Sequence, residues 1–563
     1  MGSGVKSHMR PSPKANVNLP TPKIEFRDIA SPIGITARNV YGGEASKRYI
    51  LEMTGNGAAI FDFDNDGWRD IFLVTGTTLD APTGGVAATN RLYRNKGDGT
   101  FEDVTERAGL FRGGWGQGVC AGDFDNDGST DLFVTYYGGN VLYRNRGDGV
   151  FEDVTKAAGL QSREARWSTN CSFLDYDRDG LLDLFVTSYL AIDLTAAGAP
   201  GSTPYCSWRG LAVFCGPRGF PGGAARLYRN EGDGRFRDVS KEAGIASADL
   251  HYYLGAATSD FDNDGWVDIY VACDSTPGVL YRNNRDRTFT DVAVMAGVAY
   301  GHDGQEMGSM GTAAADYDND GLIDIVKTNF MDETSTLYRN LGDWFFDDAT
   351  YLAGLGVNTR FVGWGVEFLD VDQDGWKDIF MANGHIYPEL AAADGIEPFR
   401  QRKALYWNLR NGAFRDVTEE LGGALTAPNV SRGVASGDLD GDGAPEIVVV
   451  NMNREPSVLQ ISGPKGNAIL IELVGSKSNR SAIGARVEVT AGTLRQLDEV
   501  RSGGGYASQK DFRMHFGLGH ADQADSVIVR WPGGGVEEFR EVKANHWVII
   551  REGEGIIRRT AFR

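Results

Sequence analysis

The sequence is short of the residues on which most enzymes and membrane proteins depend. It holds seven histidines and five cysteines in 563 residues, and no apolar run nears the length that spans a bilayer. No G-x-S-x-G elbow, H-E-x-x-H pair or C-x-x-C is present, which removes the usual routes to a serine hydrolase, a zinc protease or a thiol–disulfide site. His251, His302, His385, His515, His520 and His546 are scattered, and His515 and His520 are separated only by a Gly-rich turn. No catalytic set is therefore assigned. Positive charge is also scarce. With 56 basic and 77 acidic residues the net charge is −21, which repels nucleic acid and anionic membranes. The cysteines are too few for a disulfide scaffold. Cys206 and Cys215, nine apart in a Gly/Pro-rich stretch, are a candidate disulfide, which favours an oxidising compartment. Cys120 and Cys171, each just before an acidic motif, are expected as buried thiols. Cys273 has no assignment.

The N-terminus, MGSGVKSHMRPSPKANVN, has no apolar h-region. Residues 1–20 read as a disordered tag that has displaced a native export signal. The expected location is extracellular or periplasmic, with the cytoplasm as the alternative.

What is abundant is glycine, 75 residues of it, together with a repeat. The string D-x-D-x-D-G-x-x-[DE] starts at Asp62, Asp123, Asp175, Asp260, Asp316, Asp370 and Asp438. A strand-like run follows each, from IFLVT in the first to IVVVN in the last. In six repeats a second signature comes next, resembling L-Y-R-N-x-G-D-G-x-F-x-D-V and marked by Tyr93, Tyr143, Tyr228, Tyr281, Tyr338 and Tyr406. Turn residues between β-rich runs are hairpin signals. Each unit supplies about four short strands, and a blade of that kind buries its faces only against neighbours. The expected fold is all-β: a seven-bladed β-propeller over residues 21–465, followed by a small β-domain over 466–563. The last unit lacks an outer strand and IEFRDIA (Ile24–Ala30) lacks a partner, so the N-terminal strand is expected to complete the last blade. Two insertions interrupt the spacing, one around Cys206–Cys215 and one around His385–Arg402.

Calcium takes six to eight oxygens from carboxylates, carbonyls and water, which suits the acidic loops better than magnesium with its stricter geometry. In the first loop Asp62, Asp64, Asp66 and Asp70 offer carboxylates and Trp68 its carbonyl, while Gly67 allows the sharp turn. The next two sets are Asp123, Asp125, Asp127 and Asp131 with Ser129, and Asp175, Asp177, Asp179 and Asp183 with Leu181. Then come Asp260, Asp262, Asp264 and Asp268 with Trp266, and Asp316, Asp318, Asp320 and Asp324 with Leu322. The last two are Asp370, Asp372, Asp374 and Asp378 with Trp376, and Asp438, Asp440, Asp442 and Glu446 with Ala444. Glu446 and the preceding Pro445 make the seventh site a weaker or distorted candidate. The alternative, metal-free acidic turns, leaves four carboxylates repelling one another in each loop. At ~10⁻⁴–10⁻³ M affinity and ~1 mM calcium each site is worth roughly 0.4–1.4 kcal/mol, which makes the ions struts.

Eight residues before the first Asp of the second, third and fourth motifs stand Trp115, Trp167 and Tyr252. That position falls near the start of the innermost strand, beside the channel. With Arg166, His251, Arg360 and Trp364 these residues outline a candidate ligand site at the channel mouth, against the alternative of packing between blades.

The acidic repeats resemble the FG-GAP/VCBS repeats shared with integrin α-subunit propellers. Leu473–Val489 (LVGSKSNRSAIGARVEV), Arg501–Gly519 (RSGGGYASQKDFRMHFGLG) and Val527–Gly535 (VIVRWPGGG) resemble the ASPIC/UnbV domain of the cartilage acidic protein-like family and its bacterial relatives. CGPRGFPGG (Cys215–Gly223) and NGHIYPEL (Asn383–Leu390) are similar to family segments as well. The resemblance covers nearly the whole chain and implies a calcium-binding propeller with a small β-domain, commonly in exported proteins. It also links some relatives to bacterial natural-product gene sets. Without the family, NAILIELVG, ARVEVTAG, DSVIVRW and HWVIIRE still read as strands, and Ser502–Tyr506 reads as a tight turn rather than a phosphate loop. The functional expectation is a calcium-stabilised binding module for a protein or glycan. The alternative is a natural-product enzyme or accessory protein acting on a small, largely apolar ligand in the channel.

Overall fold

The computed structural model describes residues 19–80, 88–161, 166–194, 197–246, 251–392 and 398–563. Most of the expected tag thus lies outside the described residues, but Leu19 packs against the core of the sixth and last units.

Every acidic motif sits between the first two strands of a four-stranded antiparallel meander. The first strands are Ala58–Phe61, Trp115–Gly122, Arg166–Leu174, Tyr253–Ser259, Ser309–Ala315, Gly363–Leu369 and Ser431–Gly437. Each touches the next in that order and the last touches the first, so these inner strands close a ring. These strands are buried at nearly every position, and neighbouring units bury their apolar residues against each other, as the propeller architecture requires. The last unit takes its outer strand from the N-terminus. Glu25–Asp28 runs antiparallel to Ser457–Ser462 with Phe26 opposite Ile461.

Ring cohesion is reinforced at one joint. Arg166 and Trp167 pair with Gly138 and Tyr137, merging the second and third units into one sheet. Beside it Cys120 and Cys171 form a disulfide, and Cys206 and Cys215 form another. The expectation of thiols at Cys120 and Cys171 is corrected: equivalent places on adjacent inner strands bring the two side chains together. Cys273 is a buried free thiol.

Residues 467–561 form two four-stranded sheets. In one, Asn467–Val474 lies between Met514–Gly519 and His546–Arg551, running parallel to the latter, with Gly555–Ala561 outermost. In the other, Arg486–Ala491 lies between Leu494–Glu499 and Gln523–Arg530, with Val536–Lys543 at the edge. Their shared core continues into the second and third units through Phe124, Phe133, Phe173 and Leu184. The C-terminal sheets and the ring are thus one packed body on that side.

Candidate metal centres and the channel they surround

The acidic loops are held open by their own backbone. In the second unit Asp123 accepts the amide of Asp127 at 3.0 Å and that of Gly128 at 2.7 Å. Asp131 accepts the amides of Phe124 at 3.0 Å and Asn145 at 2.7 Å. Asn126, between them, takes φ 60°, a left-handed turn that asparagine tolerates. Nearly the same pattern recurs around Asp62, Asp175, Asp260, Asp316 and Asp370. It changes in the seventh loop, where Asp438 accepts the amide of Gly441, three residues on.

These bonds draw carboxylates together. Ligand oxygens of Asp62, Asp64 and Asp66 lie within 4.8 Å of one another, as do those of Asp123, Asp125 and Asp127, of Asp175, Asp177 and Asp183, of Asp260, Asp262 and Asp268, and of Asp316, Asp318 and Asp320. An arginine from the third strand takes outward oxygens: Arg94 holds Asp64 at 2.5 Å and Asp66 at 2.6 Å, and Arg229 holds Asp177 at 2.9 Å and Asp179 at 2.8 Å. The other oxygen, Oδ1 of Asp64, Asp125, Asp177 and Asp372, is buried and accepts no hydrogen bond. Glu446 Oε1 in the seventh loop is in the same condition. A buried carboxylate oxygen without a donor is costly, and a hard cation is the partner that suits several at once. Burial first, and neighbouring carboxylates next, push Asp123, Asp175 and Asp316 up to about 7. The last acidic residue of each loop, such as Asp131 or Asp378, is driven well above the carboxylate range chiefly by burial. The donor set therefore fits a hard cation such as calcium, which the carboxylates named for each loop would hold.

The loops are tied to one another around the ring. Asn65, Asn126, Asn263 and Asn319 each donate from Nδ2 to a glycine carbonyl of a neighbouring loop, at 3.0–3.2 Å. The Asn of the Y-R-N signature reaches the other way. Asn145, Asn230, Asn283, Asn340 and Asn408 donate to carbonyls of the preceding acidic loop at 2.7–2.9 Å. These asparagines were visible as a repeat signature, but nothing in the spacing revealed their role as rivets between units.

The C-terminal sheets sit on this loop-bearing face. Asn126 accepts the Arg480 amide at 2.7 Å, Arg178 donates to the Pro532 carbonyl at 2.7 Å, and Arg486 pairs with Asp260 at 2.8 Å. Lys465 pairs with Asp442 at 2.8 Å, and His515 Nε2 lies 3.0 Å from the Gly443 carbonyl. Beneath them Arg69 joins Asp511 at 2.9 Å and Lys377 joins Asp498 at 3.1 Å, all buried. Burial would raise Asp498, but Lys377, Lys510 and Arg501 overcome it and hold the carboxyl below its ordinary range.

From this domain Ser502–Gln509 threads the channel. Gly503, Gly504 and Gly505 take φ of 70°, 119° and 54°, conformations open mainly to glycine. Thr312 donates its amide to the Gly505 carbonyl at 2.8 Å and Val119 donates to the Ala507 carbonyl at 3.1 Å. The stretch read from sequence as a tight turn is thus a strap that bonds inner strands of several units.

Beyond the strap, at the starts of the inner strands, Trp167 and Trp364 are buried in one aromatic cluster. Trp167 donates to Gln117 at 3.1 Å and packs edge-on to Tyr189, 5.0 Å between centroids. Trp364 donates to the Gly384 carbonyl at 2.9 Å and packs edge-on to Tyr506 at 5.0 Å, with the Arg432 guanidinium 3.9 Å over its ring. Trp115 and Tyr252 pack against the cluster from outside. His251 lies 3.1 Å from the Pro277 carbonyl, with its ring tilted against that of Tyr253. Arg166 opens the third inner strand, next to Trp167, and Arg360 is exposed. Sequence reasoning missed Tyr189, Tyr387, Arg432 and Tyr506. Tyr506 carried no signal, since it arrives from another domain.

A model described as an FG-GAP-like repeat matches residues 62–134, 123–186, 212–271, 260–327, 316–381 and 383–449, and one described as ASPIC and UnbV matches 475–557. Against cartilage acidic protein 1 of Homo sapiens the chain is 28% identical over 308 residues, 53% of this chain and 43% of that protein. Against the Mus musculus protein it is 28% identical over 307 residues, 53% and 44% of the two chains. The match spans under half the length of these curated relatives. Among solved structures, an Agrocybe aegerita lectin that recognises non-reducing terminal N-acetylglucosamine is 16% identical with TM-score 0.38, covering 71% of this chain and 95% of that one.

Proposed function

This chain belongs to the FG-GAP-like repeat proteins, here with an ASPIC and UnbV domain, and on that footing we propose that it is a calcium-stabilised binding module that recognises a protein or glycan partner. The observation that carries the calcium is the set of buried carboxylate oxygens, in Asp64, Asp125, Asp177 and Asp372, that meet no donor. With calcium bound, like charges that repel within each loop become shared ligands, and the ion's charge favours the ionised carboxylates. The ions act as struts because every loop is also bonded to neighbours, so ordering one orders the ring.

Binding is favoured over channel chemistry by the way the channel is filled. The strap bonds across its middle, and Trp167, Trp364 and Tyr506 occupy the far end. The C-terminal sheets cover the loop face, which leaves the opposite face and its rim for a partner. Two disulfides fit an oxidising compartment, in line with an exported protein. No helix among the described residues is long and apolar enough to cross a membrane.

Elemental analysis of the purified chain tests the metal reading, with D125N as the comparison. Several calcium ions per chain, and one fewer in D125N, are expected. A chain free of calcium after equilibration in millimolar calcium would overturn it.

A further inference from the structure

We propose that the rim of the fourth and fifth units, on the face away from the metal loops, is a docking surface for a protein that presents apolar side chains flanked by lysine or arginine. This rests on the reading of the chain as a binding module and identifies the surface and the partner's chemistry.

The repeats supply their own comparison. After each outer strand the chain makes the same turn, and its second and third residues point into solvent in all six units that have it. Four units carry charge there: Glu106 and Arg107, Lys156 with Ala157, Lys241 and Glu242, and Glu419 and Glu420. In the fourth and fifth units alone the pair is apolar, Val294 with Met295 and Tyr351 with Leu352. Met295 is 83% exposed and Leu352 69%, so neither serves the core. At an equivalent site where four units carry charge, the backbone does not demand an apolar side chain.

Each such turn abuts the outer strand of the next unit, and the fourth abuts the fifth in the same way. Gly297 closes the fourth unit's turn beside the Phe346 carbonyl of the fifth unit's outer strand. His302, from the connection that follows, stacks edge-on to Tyr351 with 5.1 Å between centroids. Val357, 80% exposed, lies on the short helical turn after Leu352. Val294, Met295, Tyr351, Leu352 and Val357 thus stand exposed on two adjacent units of one rim, whereas among the described residues the matching turns of the other units carry no large apolar side chain and only Phe111, 43% exposed, follows the first unit's turn.

Its chemistry favours protein over sugar. Aliphatic groups such as Met295, Leu352 and Val357 gain by desolvation against other apolar groups and offer nothing to sugar hydroxyls. The exposed charge beside it is mainly acidic: Asp303 and Asp347, with no lysine or arginine partner among the described residues, outnumber Arg360, on a chain of net charge −21. A partner with lysine or arginine beside its apolar residues matches both features.

The test uses the full chain in millimolar calcium and two labelled 18-residue amphipathic helical peptides, one of leucine and lysine, the other of leucine and glutamate, read by fluorescence anisotropy at 0.15 M salt. The leucine–lysine peptide is expected to bind at least tenfold tighter than its acidic counterpart. M295Q/L352Q is expected to lose tenfold or more, and K156Q, at the same turn of the second unit, to bind like wild type. Unchanged calcium content and melting of M295Q/L352Q verify that the loss is local. Equal binding by M295Q/L352Q and wild type, equal binding of the two peptides, or no binding of either would overturn the proposal. Binding of maltoheptaose that M295Q/L352Q abolishes would also overturn it, in favour of a glycan. A failure here with calcium still bound and stabilising refutes the surface alone, whereas loss of the calcium effect refutes the underlying reading.

Discussion

Asn95 of the first unit donates its side-chain amide to the Leu439 carbonyl of the last, 2.8 Å away, and so bonds the ring across the seam where its two ends meet. The same group donates to the Arg69 carbonyl at 3.1 Å, and its oxygen accepts the Gly97 amide at 3.0 Å. Asn95→Ala leaves two buried carbonyls without donors. The unfolding free energy is expected to drop by about 2–4 kcal/mol. Urea denaturation reads this directly, and an unchanged midpoint would contradict the seam's role. Asn283→Ala, the same rivet away from the seam, is expected to cost a similar amount.

The strap predicts a steric phenotype. Gly57 lies against the Ala507 carbonyl so closely that a methyl group there would collide with it. Gly57→Ala is expected to push Ser502–Gln509 out of the channel and expose Tyr506. Faster amide exchange across 502–509, with native exchange in the outer strands, is the expected readout. Native protection of the strap in the variant would contradict the placement.

Arg432 is fully buried, lies over Trp364, and donates to the carbonyls of Met53 at 2.9 Å, Gly384 at 3.1 Å and Ser431 at 2.8 Å. A single ammonium cannot span that set as the planar guanidinium does. Arg432→Lys is therefore expected to lose about 2–3 kcal/mol, close to the loss in Arg432→Met, in thermal or chemical unfolding. Full rescue by lysine would show that charge alone matters.

His385 gives the fold a pH dependence. Burial first, then Arg432 and Arg209, lower its pKa to about 3, and Nδ1 accepts the Tyr387 amide at 3.1 Å. The unfolded chain takes up the proton near 6.5 while the folded one refuses it until about 3. Stability from this group is thus present above 6.5 and falls as pH drops below it, by about 1.4 kcal/mol per unit. His385→Gln is expected to reduce the slope between pH 6.5 and 5, with buried His515, also lowered to about 3, supplying a remaining part. An unchanged slope would assign the dependence elsewhere.

The propeller was legible because its information is repeated and local. Seven copies of D-x-D-x-D-G, each followed by a β-rich run, state both the meander and the loop chemistry. Half of the C-terminal strands were legible for the same reason: Asn467–Val474 and His546–Arg551 are strongly apolar. Val536–Lys543 was not, because VEEFREVK is an edge strand with most of its side chains in water. Long-range placements left no local trace. Nothing near Tyr506 announces Trp364, and Cys120 and Cys171, 51 residues apart, meet only because adjacent units align them. The candidate ligand residues were read by position alone, so position brought Trp115, Trp167, Tyr252 and Trp364 to one end of the channel. It could not foresee that Tyr506 and Arg432 fill the space between them.

The most direct measurement is the melting temperature of the full chain in millimolar calcium and again after exhaustive chelation. If the loops hold struts worth roughly 3–10 kcal/mol together, melting should fall on the order of 10 °C and recover when calcium is restored. Identical melting in both conditions would contradict calcium as the element that holds this ring together.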